Sequence, residues 1–106
     1  MDELRRDGLE SVLTKVLQLI DNKAIYLSID IDVLDPAYAP GVGNPEPYGL
    51  SPIELRTAIR RLAPSVSCFD VVEISPDYDM GMSAIVGAKI VRDFILAHSK
   101  KQILLT

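Results

Sequence analysis

Three carboxylates stand where two apolar segments run out. Asp30 and Asp32 close the stretch Ala24-Ile25-Tyr26-Leu27-Ser28-Ile29-Asp30-Ile31, and Glu73 lies near the end of Ser67-Cys68-Phe69-Asp70-Val71-Val72-Glu73-Ile74. Two aspartates two residues apart on a strand leave the same face, with Cβ atoms roughly 6–7 Å apart from the strand rise. A like-charged pair at the end of a buried segment is costly unless a cation or a proton intervenes. Hard oxygen donors at that spacing suit a divalent ion, and a bridging carboxylate holds two ions about 3.5–4 Å apart. The structural alternative is that both aspartates cap the next turn or face water.

The elements that must position these groups follow from periodicity and punctuation. From Leu9, apolar residues recur at Val12, Leu13, Val16, Leu17 and Ile20, so a helix is expected over Met1 to Ile20, ending at Asp21 and Asn22. The segment from Ala24 to Ile31 is β-branched and aromatic and apolar on both faces, which predicts a buried strand of a parallel sheet. Between Val33 and Leu50 lie seven of the chain's thirteen prolines and glycines, which excludes helix and sheet interior and predicts a shaped loop. Ser51-Pro52-Ile53-Glu54 reads as a capping box with proline at the first helical position, and Leu55, Ala58, Ile59 and Leu62 supply that helix's buried stripe before Pro64. A second strand over Ser67 to Ile74 is closed by Pro76. A last helix is expected from near Ser83 to about His98, with Val86, Ile90, Phe94 and Ile95 inward. Helix, strand, loop, helix, strand, loop, helix is a pair of β-α units and hence an α/β fold with a parallel sheet. In such sheets ligands sit beyond the carboxyl ends of the strands, where the three carboxylates are.

Composition narrows the chemistry. The chain has 106 residues and a formal net charge of -4, enough for one modest domain and the wrong sign for a nucleic-acid or anionic-membrane surface. Charges through the first twenty residues leave no apolar core for a secretory signal, and no stretch reaches the roughly 18 apolar residues of a membrane span. The single cysteine, Cys68, lies in an apolar run, where a buried thiol without a neighbouring base is expected, and a reducing cytoplasmic setting follows. The single histidine, His98, sits late on the last helix beside Lys100 and Lys101, where an imidazole suits the helix carboxyl end. A site needing two imidazoles cannot be completed by these residues.

Among metal readings, an EF-hand is excluded because Leu34 and Asp35 break its spacing. A phosphatase of the haloacid dehalogenase type also ends an apolar strand in Asp-x-Asp. Leu34 stands where that class usually has threonine or valine, and no lysine motif follows at a suitable strand end. A third pattern is more specific. Ser28-Ile29-Asp30-Ile31-Asp32, then Pro36, Pro40-Gly41 and Gly49, resembles the signature of the ureohydrolases, the arginase and agmatinase family of manganese enzymes, with every spacing in agreement. Asp70-Val71-Val72-Glu73-Ile74-Ser75-Pro76 resembles that family's second landmark, and its Glu-x-Ser-Pro form is closer to agmatinases than to arginases.

The resemblance implies a three-layer αβα fold around a parallel sheet and a binuclear manganese centre. Asp30 would bridge two ions, Asp32 would bind one of them, and Glu73 would receive the substrate guanidinium. The implied reaction is agmatine plus water to putrescine plus urea, in a homo-oligomer, commonly a trimer or hexamer. Two histidines and further aspartates of the family's earlier motifs have no counterpart here, so residues 1–106 are expected to be the C-terminal part of a single ureohydrolase domain, inactive alone. A phosphatase and a non-catalytic fragment or assembly module are the alternatives. Tyr48 stands where a glycine is usual, and Asn44 where threonine is common. The Tyr48 ring either narrows the pocket or packs outward. Asp77 and Asp79 either attract a distal ammonium of the substrate or form a solvated turn around Tyr78.

Overall fold

The computed structural model describes residues 1–105, and side chains through residue 99. The opening helix is not continuous. Gly8 takes φ 84°, open to glycine without steric cost, and divides it into α1 (Asp2–Asp7) and α2 (Leu9–Leu19). Leu13 is the one fully buried residue of α2, and an ion pair from Arg61 to Glu10 ties this helix to the next.

The strands are β1 (Tyr26–Asp30) and β2 (Cys68–Val72), shorter than the apolar runs that contain them. They pair in parallel, with Tyr26 opposite Cys68 and Asp30 opposite Val72. Between them, α3 (Pro52–Leu62) begins as the capping box predicts: Glu54 N–H donates to Ser51 Oγ at 3.2 Å, and Ser51 N–H donates to Glu54 Oε1 at 3.0 Å. Such a cap is worth about 1 kcal/mol. α4 (Met82–Leu105) packs along α3 and extends past the expected end at His98.

Strand alternation separates two unlike sheet faces. Leu27, Ile29, Phe69 and Val71 point to the core, where Ile31, Leu34, Leu55, Ile59, Ile90 and Phe94 are buried and Phe69 stacks on Phe94 at 3.7 Å between centroids. Tyr26, Ser28, Cys68 and Asp70 point the other way. This face is open: Tyr26 is 60% exposed and Cys68 is exposed, so the expectations of a strand covered on both sides and of a buried thiol are corrected. Tyr26 Oη–H and Ser28 Oγ–H donate to Asp70 there. On α4, Ile90 and Phe94 are buried and Val86 packs on the core, but Ile95 is 53% exposed, because the residue after Phe94 lies about 100° further round the helix.

The proline-rich stretch is a closed loop. Its ends meet where Leu50 N–H donates to Val33 O and Asp35 N–H donates to Leu50 O, both at 2.9 Å. Asp35 then pins the interior, accepting from the amides of Ala37 and Tyr48, both at 2.9 Å, and of Gly49 at 3.3 Å. Arg5 of α1 reaches the Tyr48 and Gly49 carbonyls at 3.1 Å. A Cβ on Gly49 would stand 2.6 Å from the Leu34 carbonyl carbon, so the closure needs glycine there. Among the described residues no helix is long and apolar enough to cross a membrane.

Candidate active site

β1 stops at Asp30, and Ile31–Val33 form a single 3₁₀ turn for which Asp30 is the N-cap. Asp32 N–H donates to Asp30 Oδ1 at 3.0 Å. Asp32 is therefore not a strand residue, and the expectation that the pleat sets the pair's separation is corrected: a side-chain-capped turn folds Asp32 back toward Asp30. Both carboxylates are half-buried.

Their proximity has an electrostatic signature. The Asp32 carboxyl is held above the usual carboxylate range, first because a proton on it is shared with the Asp30 carboxylate, then by burial and by the negative charges of Asp30, Glu73 and Glu46. Four acidic side chains thus share one field at the carboxyl end of the sheet. Glu73 enters it directly after Val72, the residue paired with Asp30. Its backbone has φ 68°, sparsely populated for a residue with a side chain. Such conformations cost about 1–3 kcal/mol and persist where surrounding structure over-determines them. Glu46 comes from the proline-rich loop and was not recognisable by spacing, since only the loop's path brings it near Asp32.

A hard cation fits this donor set in part. Two adjacent carboxylates with unbalanced like charge gain from a divalent ion. Among the described residues, however, no three His, Cys, Asp or Glu side chains cluster closely enough to hold one, so completing a site requires donors beyond these.

The other candidates sort clearly. His98 Nδ1 lies 2.9 Å from the Ala63 carbonyl oxygen and the ring stacks on Phe94, so it braces the junction of α3 and α4 away from the carboxylates. Tyr48 packs outward at 83% exposure, with φ 66° at a position where glycine would be unstrained. Asp77 is exposed. Asp79 is turned inward, its Oδ2 accepting from the Ser83 amide at 2.9 Å and the Ser83 hydroxyl at 2.5 Å, which holds its carboxyl below the usual range.

Comparison with known proteins identifies the family and the fold. Residues 1–97 match the Arginase family. Arginase 1, mitochondrial, of Oryza sativa subsp. indica is 45% identical over 80 residues, 74% of this chain and 24% of that protein. The mitochondrial guanidino acid hydrolase of Homo sapiens is 42% identical over 95 residues, 88% of this chain and 27% of that protein. The chain thus spans about a quarter of the length of these curated relatives. The crystal structure of agmatine ureohydrolase of Thermoplasma volcanium superposes with a TM-score of 0.83 at 38% identity, covering 92% of this chain and 32% of that one. With its two parallel strands and flanking helices forming part of the α/β ureohydrolase fold, this chain belongs to the arginase family.

Proposed function

We propose that these residues form the carboxylate-rich part of a manganese-dependent ureohydrolase acting on agmatine, releasing putrescine and urea. Asp30 and Asp32 would hold the metal, and Glu73 would orient the guanidinium. The observation that carries this reading is that Asp30 and Asp32 are bonded together at the end of β1 while Glu73 follows Val72, the in-register partner of Asp30, at the end of β2. Bound manganese would supply Lewis-acid activation of water and charge stabilisation.

Glu73 does the orienting. Its carboxylate offers two oxygens to two N–H groups of a planar guanidinium, and charge-assisted bidentate bonding sets both distance and plane. The carbon under attack is then held at one angle to the incoming water, which removes rotational freedom from the barrier. Water adds at that carbon, the bond to the alkyl-bearing nitrogen breaks, and that nitrogen leaves as the amine with a proton. The Glu-x-Ser-Pro form of the second landmark supports agmatine over arginine. A complete metal site would take further carboxylate or imidazole donors besides Asp30 and Asp32, and a homo-oligomer is the expected assembly.

The test is urea release by the full-length protein with manganese, offered agmatine, arginine and short guanidino acids. Agmatine should give the highest kcat/KM, and Glu73→Gln should lower it roughly 10²-fold with metal content unchanged. Urea release from none of these compounds overturns the hydrolase reading, and preference for another guanidino compound overturns only the substrate. The isolated 106-residue chain should bind manganese weakly, at most one ion. Calorimetry showing two tight sites would contradict the assignment of the remaining donors elsewhere.

A further inference from the structure

Gly41 joins three segments that lie far apart in the chain. Its amide donates to Ser83 Oγ at 2.8 Å, at the start of α4, and its carbonyl accepts from Ser75 N–H at 2.7 Å, two residues after Glu73. Ser83 is completely buried, and its hydroxyl is used in both directions, donating to Asp79 Oδ2 while accepting from Gly41. Asp79 also accepts from the Ser83 amide. A Cβ on Gly41 would stand 2.6 Å from Asp79 Oδ2, so the carboxylate occupies the space that any larger residue at position 41 would need. The proline-rich loop, the turn after Glu73 and the first turn of α4 therefore meet in one hydrogen-bonded node.

None of these contacts reaches the Asp30–Asp32 pair directly. What the node constrains is the backbone on either side of Glu73. β2 holds the residue before it through the pairing of Val72 with Asp30, and Gly41 holds Ser75 just after it. Between the two clamps only Glu73 and Ile74 intervene, and Glu73 takes the left-handed conformation. Left free, a residue with a side chain relaxes out of that region.

We propose that Asp79 and Ser83 are positioning residues, a latch that binds the proline-rich loop to the Glu73 turn through Gly41 and so keeps Glu73 aimed at the substrate. The aiming part rests on the ureohydrolase reading; the latch itself does not. Ser83→Ala removes the acceptor for Gly41 and a donor to Asp79 while leaving a side chain that fits the same space.

Amide hydrogen exchange on the full-length protein reads the latch without reference to activity. In the wild type, the Gly41 and Ser75 amides should be protected; exchange at the rate of an open loop overturns the latch even if every variant fails to fold. In Ser83→Ala, both should exchange about 10-fold faster than any change at Ile90, a buried residue of α4. A uniform change at all three sites overturns it. Urea release then reads the aiming. Ser83→Ala should lower kcat roughly 10- to 100-fold at unchanged manganese content, whereas Ile59→Ala, a core change of similar or greater cost in stability, should not. Equal loss per folded molecule in both variants overturns the positioning role. Absence of urea release from the wild type overturns the ureohydrolase reading, and with it the aiming, while the exchange result still decides the latch.

Discussion

The two strand ends hold their carboxylates by different means. At the end of β1, Asp30 and Asp32 are set by a bond spanning two residues, Asp32 N–H to Asp30 Oδ1. At the end of β2, Glu73 is set by a frame that includes a bond between residues 42 apart, Gly41 to Ser83. The first arrangement forms wherever β1 terminates in a turn. The second exists only once loop, strand and helix have docked. A local device suits a pair whose mutual repulsion must be held constant, and a long-range device suits a residue whose direction must be coordinated with a pocket wall.

The sharpest way to break the local end is Asp30→Ala. It removes a proposed metal donor and the cap of the 3₁₀ turn together. Urea release by the full-length protein should fall roughly 10³-fold, since several kcal/mol of charge stabilisation are lost. Stability of the fold should fall by only about 1 kcal/mol, the worth of one cap, as measured by denaturant titration. A stability loss as large as the activity loss would show that the pair is chiefly structural.

The long-range end is broken by Gly41→Ala. The new methyl group meets the Asp79 carboxylate, which is held on Ser83 and cannot swing away without giving up both hydrogen bonds. Destabilisation of about 1–3 kcal/mol is expected from overpacking at a closed site. It should be accompanied by loss of exchange protection at Ser75. Unchanged protection there would mean that the loop and the Glu73 turn are held independently.

A third change sharpens the comparison by relieving strain away from both ends. Tyr48 takes φ 66° yet packs outward, so its ring stabilises little. Tyr48→Gly should therefore raise stability or leave it level, within about 1 kcal/mol, because removal of left-handed strain is offset by added freedom in the unfolded chain. A clear loss in thermal midpoint would assign the ring a partner.

The smallest effects are in pH dependence, and the two ends differ in sign. The Asp35 carboxyl is held below the usual range, first by the Ala37 amide, and the Asp79 carboxyl by the Ser83 hydroxyl. Their contribution is fully present above the unfolded value of about 3.9 and disappears as pH falls through the lower folded values. Asp35→Asn should flatten the acid limb of an unfolding curve. Asp32 is raised by its contact with Asp30, by burial and by neighbouring charge. In metal-free protein it therefore opposes folding increasingly as pH rises from about 3.9 through its folded value. Asp32→Asn should raise the metal-free thermal midpoint at neutral pH. A lower midpoint would mean that the like-charge pair is already neutralised by another group.

Much of the molecule was legible before folding. The Ser51 cap, the stripe of Leu55 and Ile59, the parallel pairing and the loop between Val33 and Leu50 each follow from spacings of a few residues, because propensity, capping and turn chemistry act at that range. The placement of Asp30, Asp32 and Glu73 at the strand ends was legible in the same way, because each motif is continuous; their roles belong to the proposed function. Elsewhere the structure departs from the expectation. Gly8 breaks the helix expected over Met1 to Ile20, one residue before its apolar spacing begins at Leu9. Cys68 and Tyr26 are apolar by type yet lie on a sheet face that no described element covers. Ile95 has helical company and still faces solvent.

Which residues carry charge at the strand ends, and which family pattern they match, are matters of order along the chain and need no fold to be read. That Glu46 joins the field around Asp32, and that Asp79 serves Ser83 and Gly41 instead of solvent, depends on the packing of whole elements. The reason is physical. A capping bond is specified by neighbours, whereas a bond between residues 42 apart is specified by every element whose packing brings them together.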